Sequence, residues 1–477
     1  MFRSPFRGIT DRAAKRALHR FRVRVNRFKL TRKPYIRATL LADPQVAAAV
    51  RAHAFEHGVI EEAAWRRVSE YIDEIVPYFN VLAYYRFGYG ASRGFLNLLY
   101  KVSVEYENLG ALESLPDESI VIYLANHRSN ADYVLLAYVL VGDVSISYAV
   151  GEWARAFPLE YVFKSFGSYF IRRKYREPLY HAVLERYVQL ITRNGVTQGI
   201  FPEGGLSRDG RLGPAKIGLL DYIIGVARDD PALADRMVII PVAINYDRVL
   251  EDRSLLRELD SRLRDAPPAR WNQFREVTRY LFWNVGRLAA GRWRRYGRAA
   301  VNIGSPIPLS GWLAQQRERH GDLWRISRPE RLSEVQGLAD EVMSRIGVLI
   351  PVTPVALACA AIQSIGSDFI ARDKLLERMV EMREVLLELN ARVLRSDRNI
   401  SETFERAWRM LSMRKILISA GTGYVVLPRQ KELVSYYANS IAHLLGPFAA
   451  GVRKRDALPA LAFLQSTEPG AGGGDPK

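Results

Sequence analysis

His127 and Asp132 stand five residues apart in Ala125-Asn126-His127-Arg128-Ser129-Asn130-Ala131-Asp132-Tyr133. A five-residue step turns an ideal helix by roughly 140 degrees, so the two side chains cannot share one helix face and one of them must sit in a turn. The reading that brings them together puts His127 in the turn and Asp132 in the first turn of a helix, with Ser129 or Asn130 as N-cap. Asp132 would then fix the imidazole tautomer and stabilise its charged form, leaving the other nitrogen as a base near neutral pH. A structural His–Asp pair is the plainer alternative for two residues taken alone.

Three further segments combine with this one. Gly167-Ser168-Tyr169-Phe170-Ile171-Arg172-Arg173 ends an apolar run on two guanidinium groups, which fit a phosphate as a planar fork or face solvent as a strand-end charge pair. Phe201-Pro202-Glu203-Gly204-Gly205-Leu206-Ser207-Arg208 carries two glycines that let backbone N–H groups approach an anion, or form an ordinary turn, and Arg208 adds charge. Val238-Ile239-Ile240-Pro241-Val242-Ala243-Ile244-Asn245-Tyr246 reads as an apolar strand in which Pro241 restricts pairing, either a plain core strand or a wall facing an acyl chain.

In this order the four segments resemble the four blocks of the glycerolipid acyltransferase superfamily, whose members acylate glycerol 3-phosphate, lysophosphatidate and dihydroxyacetone phosphate. The resemblance spans about Ile120 to Tyr246. It implies His127 as base and Asp132 as its partner in an HX4D motif, Arg172 as a phosphate contact, and Glu203, Gly204 and Pro241 as the marks of the third and fourth blocks. Arg128, Ser129, Arg173, Gly205, Ser207 and Arg208 join them as expected substrate contacts. His-Arg-Ser with Asp132-Tyr133, Phe-Ile-Arg-Arg and Glu-Gly-Gly favour the glycerol 3-phosphate branch. Leu206 stands where many members of that branch carry another Arg, and Asn126 is more typical of lysophosphatidate enzymes. The implied reaction moves a fatty acyl group from an acyl-CoA or acyl carrier protein thioester to the sn-1 hydroxyl of glycerol 3-phosphate. A positioned base is needed because a protonated hydroxyl is a poor nucleophile. The thiol leaves readily, so direct transfer is expected, with backbone N–H groups at the start of the helix after His127 receiving the developing oxyanion. No cofactor and no metal are implied: His53 and His57 form the one ligand-spaced pair among seven histidines.

Elements able to position such a site are visible around it. Short apolar runs at Ile120–Leu124, Val144–Val150, Tyr169–Ile171, Gly199–Phe201 and Val238–Ile244 read as buried strands. Helical stretches at Tyr133–Leu140, Leu179–Thr192 and Ile217–Val226 separate them, so the expectation is an α/β domain over 100–310 with a mixed or largely parallel central sheet flanked by helices. The motifs fall at strand ends, where such sheets place their chemistry. A helical lead-in is expected over 35–99, and a helical C-terminal region over 311–466 with helices at Arg372–Leu394 and Lys431–Leu445. A disordered tail over 467–477 completes the chain.

The 477 residues carry 69 Lys and Arg against 51 Asp and Glu, a formal +18 that favours anionic partners. Twelve basic residues and one acid precede Tyr35, with Leu18, Phe21, Val25 and Phe28 at heptad-like spacing, which reads as a basic amphipathic segment on an anionic membrane over 1–34. The mixture of aromatics and seven arginines in Trp271–Arg298 suits a membrane interface and, as the rival, base stacking. The uncharged stretch Ile346–Ser367 is broken by Pro351 and Pro354 and is expected to be a buried or shallow interfacial helix. The expected location is peripheral or monotopic on the cytoplasmic face of a membrane, without nucleic acid. The single cysteine, Cys359, excludes an intrachain disulfide. A non-catalytic basic membrane- or nucleic-acid-binding protein on the same scaffold is the reading of another class, and it predicts damaged motifs.

Overall fold

The computed structural model describes residues 33–77, 94, 96–140, 147–151, 168–172, 175–263, 295–394 and 399–446. The basic segment up to residue 32, Arg173, residues 271–294 and the tail at 467–477 lie outside them.

Three helices lead in: α1 (Lys33–Leu41), α2 (Pro44–His57) and α3 (Glu61–Ile75). Asp43 caps α2 by accepting from the Gln45 and Val46 amides, and Pro44 at the first position loses nothing because that N–H has no helical partner. Then follow β1 (Lys101–Tyr106), α4 (Leu109–Glu113), β2 (Ile120–Ala125), α5 (Asp132–Val139), β3 (Ser147–Gly151), β4 (Tyr169–Ile171), α6 (Pro178–Arg193), β5 (Gln198–Ile200), α7 (Gly218–Ile224), α8 (Val226–Asp229) and β6 (Met237–Tyr246). Next come α9 (Asp252–Leu263), β7 (Arg298–Ile303), β8 (Ile307–Pro308), α10 (Leu309–His320), α11 (Arg328–Leu349) and α12 (Pro354–Ile365). The last elements are β9 (Phe369–Ala371), α13 (Arg372–Glu388), α14 (Ile400–Met413), β10 (Leu417–Ala420), β11 (Gly423–Val426), α15 (Lys431–Asn439) and α16 (Ala442–Leu445).

The main sheet has the order β1-β7-β6-β2-β5-β3-β4, with β8 paired to β6. It is mixed and mostly parallel: β7 and β8 run antiparallel to β6, and the other pairs are parallel. Every residue of β2 and β6 is buried, as expected of central strands covered on both faces, whereas β1 at the edge is half-exposed and carries Lys101, Ser103 and Glu105. That alternation hid β1 from a search for apolar runs, and β7 was missed with it.

Pro241 sits inside β6 because its flank changes partner there. Toward the start of the strand β8 pairs with Val238 and Ile239, and from Val242 onward β7 takes over, so the missing N–H falls between two ladders. Gly304 packs over it, where a Cβ would come within 2.7 Å of Pro241 Cγ.

Beyond Pro308 the chain is mainly helical, as expected, with one addition. Strands β9, β10 and β11 form a second, antiparallel sheet of three strands, each only three or four residues long. The Ile346–Ser367 stretch is divided by the Pro351 break, and its second half forms α12, buried from Pro354 to Ile362 against α13, α14 and α15. It is a core helix. Among the described residues no helix is long and apolar enough to cross a membrane. Cys359 lies buried in α12. Tyr296, expected in an interfacial stretch, is also internal: it is buried beneath the Arg248 guanidinium, 4.1 Å from its ring centre.

Candidate active site

The carboxyl ends of β2, β4 and β5 share one edge of the sheet, and the polar motifs follow those strands. Asn126, the last residue before His127, donates from Nδ2 to the Ile244 carbonyl at 2.9 Å and accepts the Ile244 amide at 2.7 Å. It thereby locks the end of β2 to β6, and this contact gives Asn126 a reason independent of the acceptor.

His127 Nδ1 lies 2.9 Å from Asp132 Oδ2, and both side chains are essentially inaccessible, at 1% and 0% exposure. The imidazole stacks on Phe201 with ring centres 4.1 Å apart, and Tyr133 meets it edge-on at 5.3 Å. Asp132 is saturated with donors: its Oδ2 also accepts the Arg128 and Ser129 amides at 2.7 and 3.0 Å, and its Oδ1 accepts the Tyr246 hydroxyl at 2.6 Å. Burial, then the neighbouring Asp132 charge, drives the Tyr246 hydroxyl well above the usual tyrosine range, so it stays a donor.

Neither Ser129 nor Asn130 caps α5 as expected. The cap position is Ala131 without a side-chain bond, because the Asp132 carboxylate itself folds back onto the turn. A second carboxylate holds the other side. Glu251, buried just after β6, accepts the Ser129 hydroxyl at 2.7 Å and the Asn130 amide at 3.2 Å. Burial raises its carboxyl to about 7, with Ser129 opposing and Asp132 adding to the rise.

These bonds engage the amides of the turn that leads into α5. The His127 amide donates to Glu203 Oε1, the Arg128 and Ser129 amides to Asp132, the Asn130 amide to Glu251, the Ala131 amide to Ser129 Oγ and the Asp132 amide to the Ser129 carbonyl. Every backbone donor from 127 to 132 is therefore already engaged, within the turn or by Glu203 and Glu251 beside it.

Glu203 bridges two loops through both oxygens, to His127 N at 2.7 Å and Gly213 N at 2.9 Å. Burial pushes its carboxyl up to about 7, against the pull of those two amides and of Arg128. Gly204 has φ of 67°, and a Cβ there would stand 2.8 Å from Lys216 Cδ, so the position takes glycine for both conformation and space. Gly205 lies beside it, half-exposed. Ser207 ties the loop back to the turn, its amide donating to the His127 carbonyl at 2.9 Å and its hydroxyl to the Arg211 carbonyl at 2.6 Å. Arg208 donates to Glu258 at 2.8 Å, and Leu206 packs partly buried against the core.

Arg172 stands apart. Its strand is three steps from β2 across β5 and β3, about 14 Å at sheet spacing. Its guanidinium makes a two-pronged pair with Glu74 of α3, at 2.8 and 2.5 Å, inside a ring of Tyr71, Tyr175 and Tyr180. Arg128, by contrast, is buried against the Gly210 carbonyl, to which Nη1 donates.

The C-terminal region is anchored directly behind the site. Asp252, next to Glu251, is buried with Arg414 at 2.7 Å and accepts the Tyr437 hydroxyl. Burial works against ionisation of Asp252, but Arg414 outweighs it and holds the carboxyl below the usual range. Of the residues in these contacts, Glu251, Tyr246 and Asp252 escaped the sequence reading; their partners lie 114 to 185 residues away. His53 and His57 stack on each other at 4.2 Å, and among the described residues no cluster of three His, Cys, Asp or Glu fits a metal ion.

Comparison with known proteins assigns both halves of this architecture. Residues 107–245 match the family described as Acyltransferase, and residues 282–451 match the Glycerol-3-phosphate acyltransferase C-terminal region. A glycerol-3-phosphate acyltransferase of Aeromonas hydrophila is 28% identical over 87% of this chain and 50% of its own length. One from Pseudoalteromonas atlantica is 31% identical over 68% of this chain and 39% of its own. The chain thus spans half or less of the length of these curated relatives. A solved 1-acyl-sn-glycerophosphate (LPA) acyltransferase from Thermotoga maritima aligns at a TM-score of 0.29 and 19% identity, over 68% of this chain and 96% of that one. With an acyltransferase domain carrying the His127–Asp132 pair and the matching C-terminal region docked behind it, the chain belongs to the glycerolipid acyltransferase superfamily, in its glycerol-3-phosphate acyltransferase branch.

Proposed function

We propose that the chain transfers a fatty acyl group from an acyl thioester to the sn-1 hydroxyl of glycerol 3-phosphate, giving lysophosphatidate for phospholipid synthesis. The observation that carries this reading is the buried contact of His127 Nδ1 with Asp132 at 2.9 Å, which orients the ring with its second nitrogen as the base. That nitrogen takes the hydroxyl proton as the oxygen attacks the thioester carbonyl. The carbon–sulfur bond breaks, and the departing thiolate recovers the proton from the imidazolium. No covalent enzyme intermediate is needed, and Cys359, whose thiol burial drives well above its usual range, has no part in it. Since the amides of residues 127 to 132 are engaged, donors outside that turn receive the oxyanion.

Acyl-CoA or an acyl carrier protein thioester serves as co-substrate, with no cofactor and no metal. Arg172, Arg173 and Arg208 are the expected phosphate contacts, and Arg172 would exchange Glu74 for phosphate. The +18 chain meets an anionic membrane surface as a peripheral or monotopic protein on the cytoplasmic face. The intact His-Asp pair and Glu203 speak against a non-catalytic scaffold. Purified protein supplied with acyl-CoA and glycerol 3-phosphate should release free thiol and form 1-acyl product, and His127→Ala should not; turnover in that variant near wild type would remove His127 from the chemistry.

A further inference from the structure

Three arginines near the block loops differ in what they already hold. Arg172 carries Glu74, and Arg208 carries Glu258. Arg128 is buried more deeply than either, at 2% exposure, and among the described residues it has no carboxylate partner. One nitrogen, Nη1, donates to the Gly210 carbonyl, while Nε and Nη2 are buried without a hydrogen-bond partner. A guanidinium closed off from water in this way strongly favours an anion beside it. Glu203 is the carboxylate that feels the Arg128 charge, but its two oxygens hold the His127 and Gly213 amides.

A second orphan lies across the domain boundary. The Tyr436 hydroxyl, on α15, is buried and also lacks a partner. Both residues touch Gly210, Arg128 through its Nη1 and Tyr436 through its backbone: φ at Gly210 is 86°, and a Cβ there would stand 1.9 Å from the Tyr436 carbonyl oxygen. Loop and helix therefore touch backbone to backbone, and Asn439 Nδ2 adds a bond to the Asp209 carbonyl at 2.8 Å. Burial raises the Tyr436 hydroxyl above the usual tyrosine range, so it remains a donor, and the Arg128 charge reaches it.

We infer that Arg128 and Tyr436 join the expected Arg172 contact in holding the phosphate of the acceptor, so that the C-terminal region supplies one wall of the acceptor site. This deepens the proposed acylation of glycerol 3-phosphate and rests on it. Two guanidinium N–H groups and a phenol offer neutral and charged donors to adjacent phosphate oxygens. Arg128 follows His127 in the chain, so a phosphate held there keeps the short glycerol backbone close to the base. Lysophosphatidate and glycerol 3-phosphate present the same phosphate, and competition between them at this pair reports on the shared headgroup.

Tyr436→Phe is the discriminating variant. Removing a buried hydroxyl with no partner in the ligand-free protein should leave Tm unchanged or raised. Loss of a phosphate contact should instead raise the KM for glycerol 3-phosphate about tenfold and leave the KM for acyl-CoA within about twofold. Arg128→Lys keeps the charge, loses the fork and should raise the same KM further. Inorganic phosphate alone should raise the Tm of the wild type and do so less in Tyr436→Phe. An unchanged glycerol 3-phosphate KM in Tyr436→Phe overturns the inference, as does an equal rise for the donor. A wild type that does not acylate glycerol 3-phosphate would remove the reading of function itself. The phosphate arm then decides the pair alone: a Tm rise retained in full by Tyr436→Phe overturns it.

Discussion

The ends of β2 and β4 lie on the same edge of one sheet, yet one is closed and the other partly open to solvent. After β2, the turn from His127 to Asp132 is buried except at Asn130, and each of its amides is engaged, by Asp132, Glu251, Glu203 and Ser129. After β4, Arg172 is 29% exposed and its partner Glu74 13%, so the pair that the lead-in helices complete is only partly buried. A partly solvated pair exchanges more readily than a buried, fully bonded network, which fixes geometry. The contrast separates a region built to hold one imidazole still from a region proposed to trade a carboxylate for a phosphate.

The largest effects should come from the closed turn. His127→Ala should lower kcat by about 10³- to 10⁴-fold with substrate KM values little changed. Asp132→Asn should lower it by roughly 10²- to 10⁴-fold, because an amide cannot hold the same tautomer. Rates within a few fold of wild type in steady-state assays of either variant would mean that the pair is structural only. Glu251→Ala should come next, about tenfold in kcat with both KM values retained, and Glu251→Gln should recover most of the loss by keeping a carbonyl acceptor for Ser129; a KM effect in place of a kcat effect would take Glu251 out of the turn's support.

At the exchangeable end the expected effects move KM. Arg172→Ala should raise the glycerol 3-phosphate KM about tenfold, and Glu74→Gln should lower it about two- to threefold by removing the competing carboxylate. If both variants raise it, the pair is a brace for the lead-in helices, not a place for phosphate.

The smallest effect is on stability. Glu203 and Glu251 have folded-state values of about 7, above the usual carboxylate range near about 4.3, so the native chain binds more protons than the unfolded one between those limits. Their contribution is fully present below about pH 4.3 and is lost as pH rises through about 7. Asp252, held low by Arg414, acts oppositely: its contribution is present above its unfolded value and lost only as pH falls through the depressed one. Thermal melts of Glu203→Gln and Glu251→Gln from pH 5 to 7.5 should therefore show a flatter Tm slope than wild type, whereas a slope as steep as wild type would place those carboxyls at ordinary values.

Much of this was legible because central strands are buried on both faces and spell continuous apolar runs; β2, β5 and β6 announce themselves, and the polar motifs interrupt them at their ends. The His127–Asp132 contact was legible because five residues of chain enforce it. What the sequence concealed depends on distant chain. Lys101–Tyr106 alternates because it is an edge strand, so no run marks it. The strands of the second sheet are too short to carry a period. Glu251 and Glu203 reach the turn from 122 and 76 residues away, and nothing local in the sequence marks their capture of its amides. Pro241 read as a break in pairing, and only the change of partner from β8 to β7 explains why the strand tolerates it.

The central claim is that the closed turn serves acyl transfer to a small phosphorylated hydroxyl compound, and a single competition measures it most directly. Purified protein would receive acyl-CoA with equal glycerol 3-phosphate, dihydroxyacetone phosphate and lysophosphatidate, with products resolved by mass and acyl position. The account predicts 1-acylglycerol 3-phosphate as the main product, absent in His127→Ala; preferential acylation of lysophosphatidate, or equal product from the variant, would contradict it.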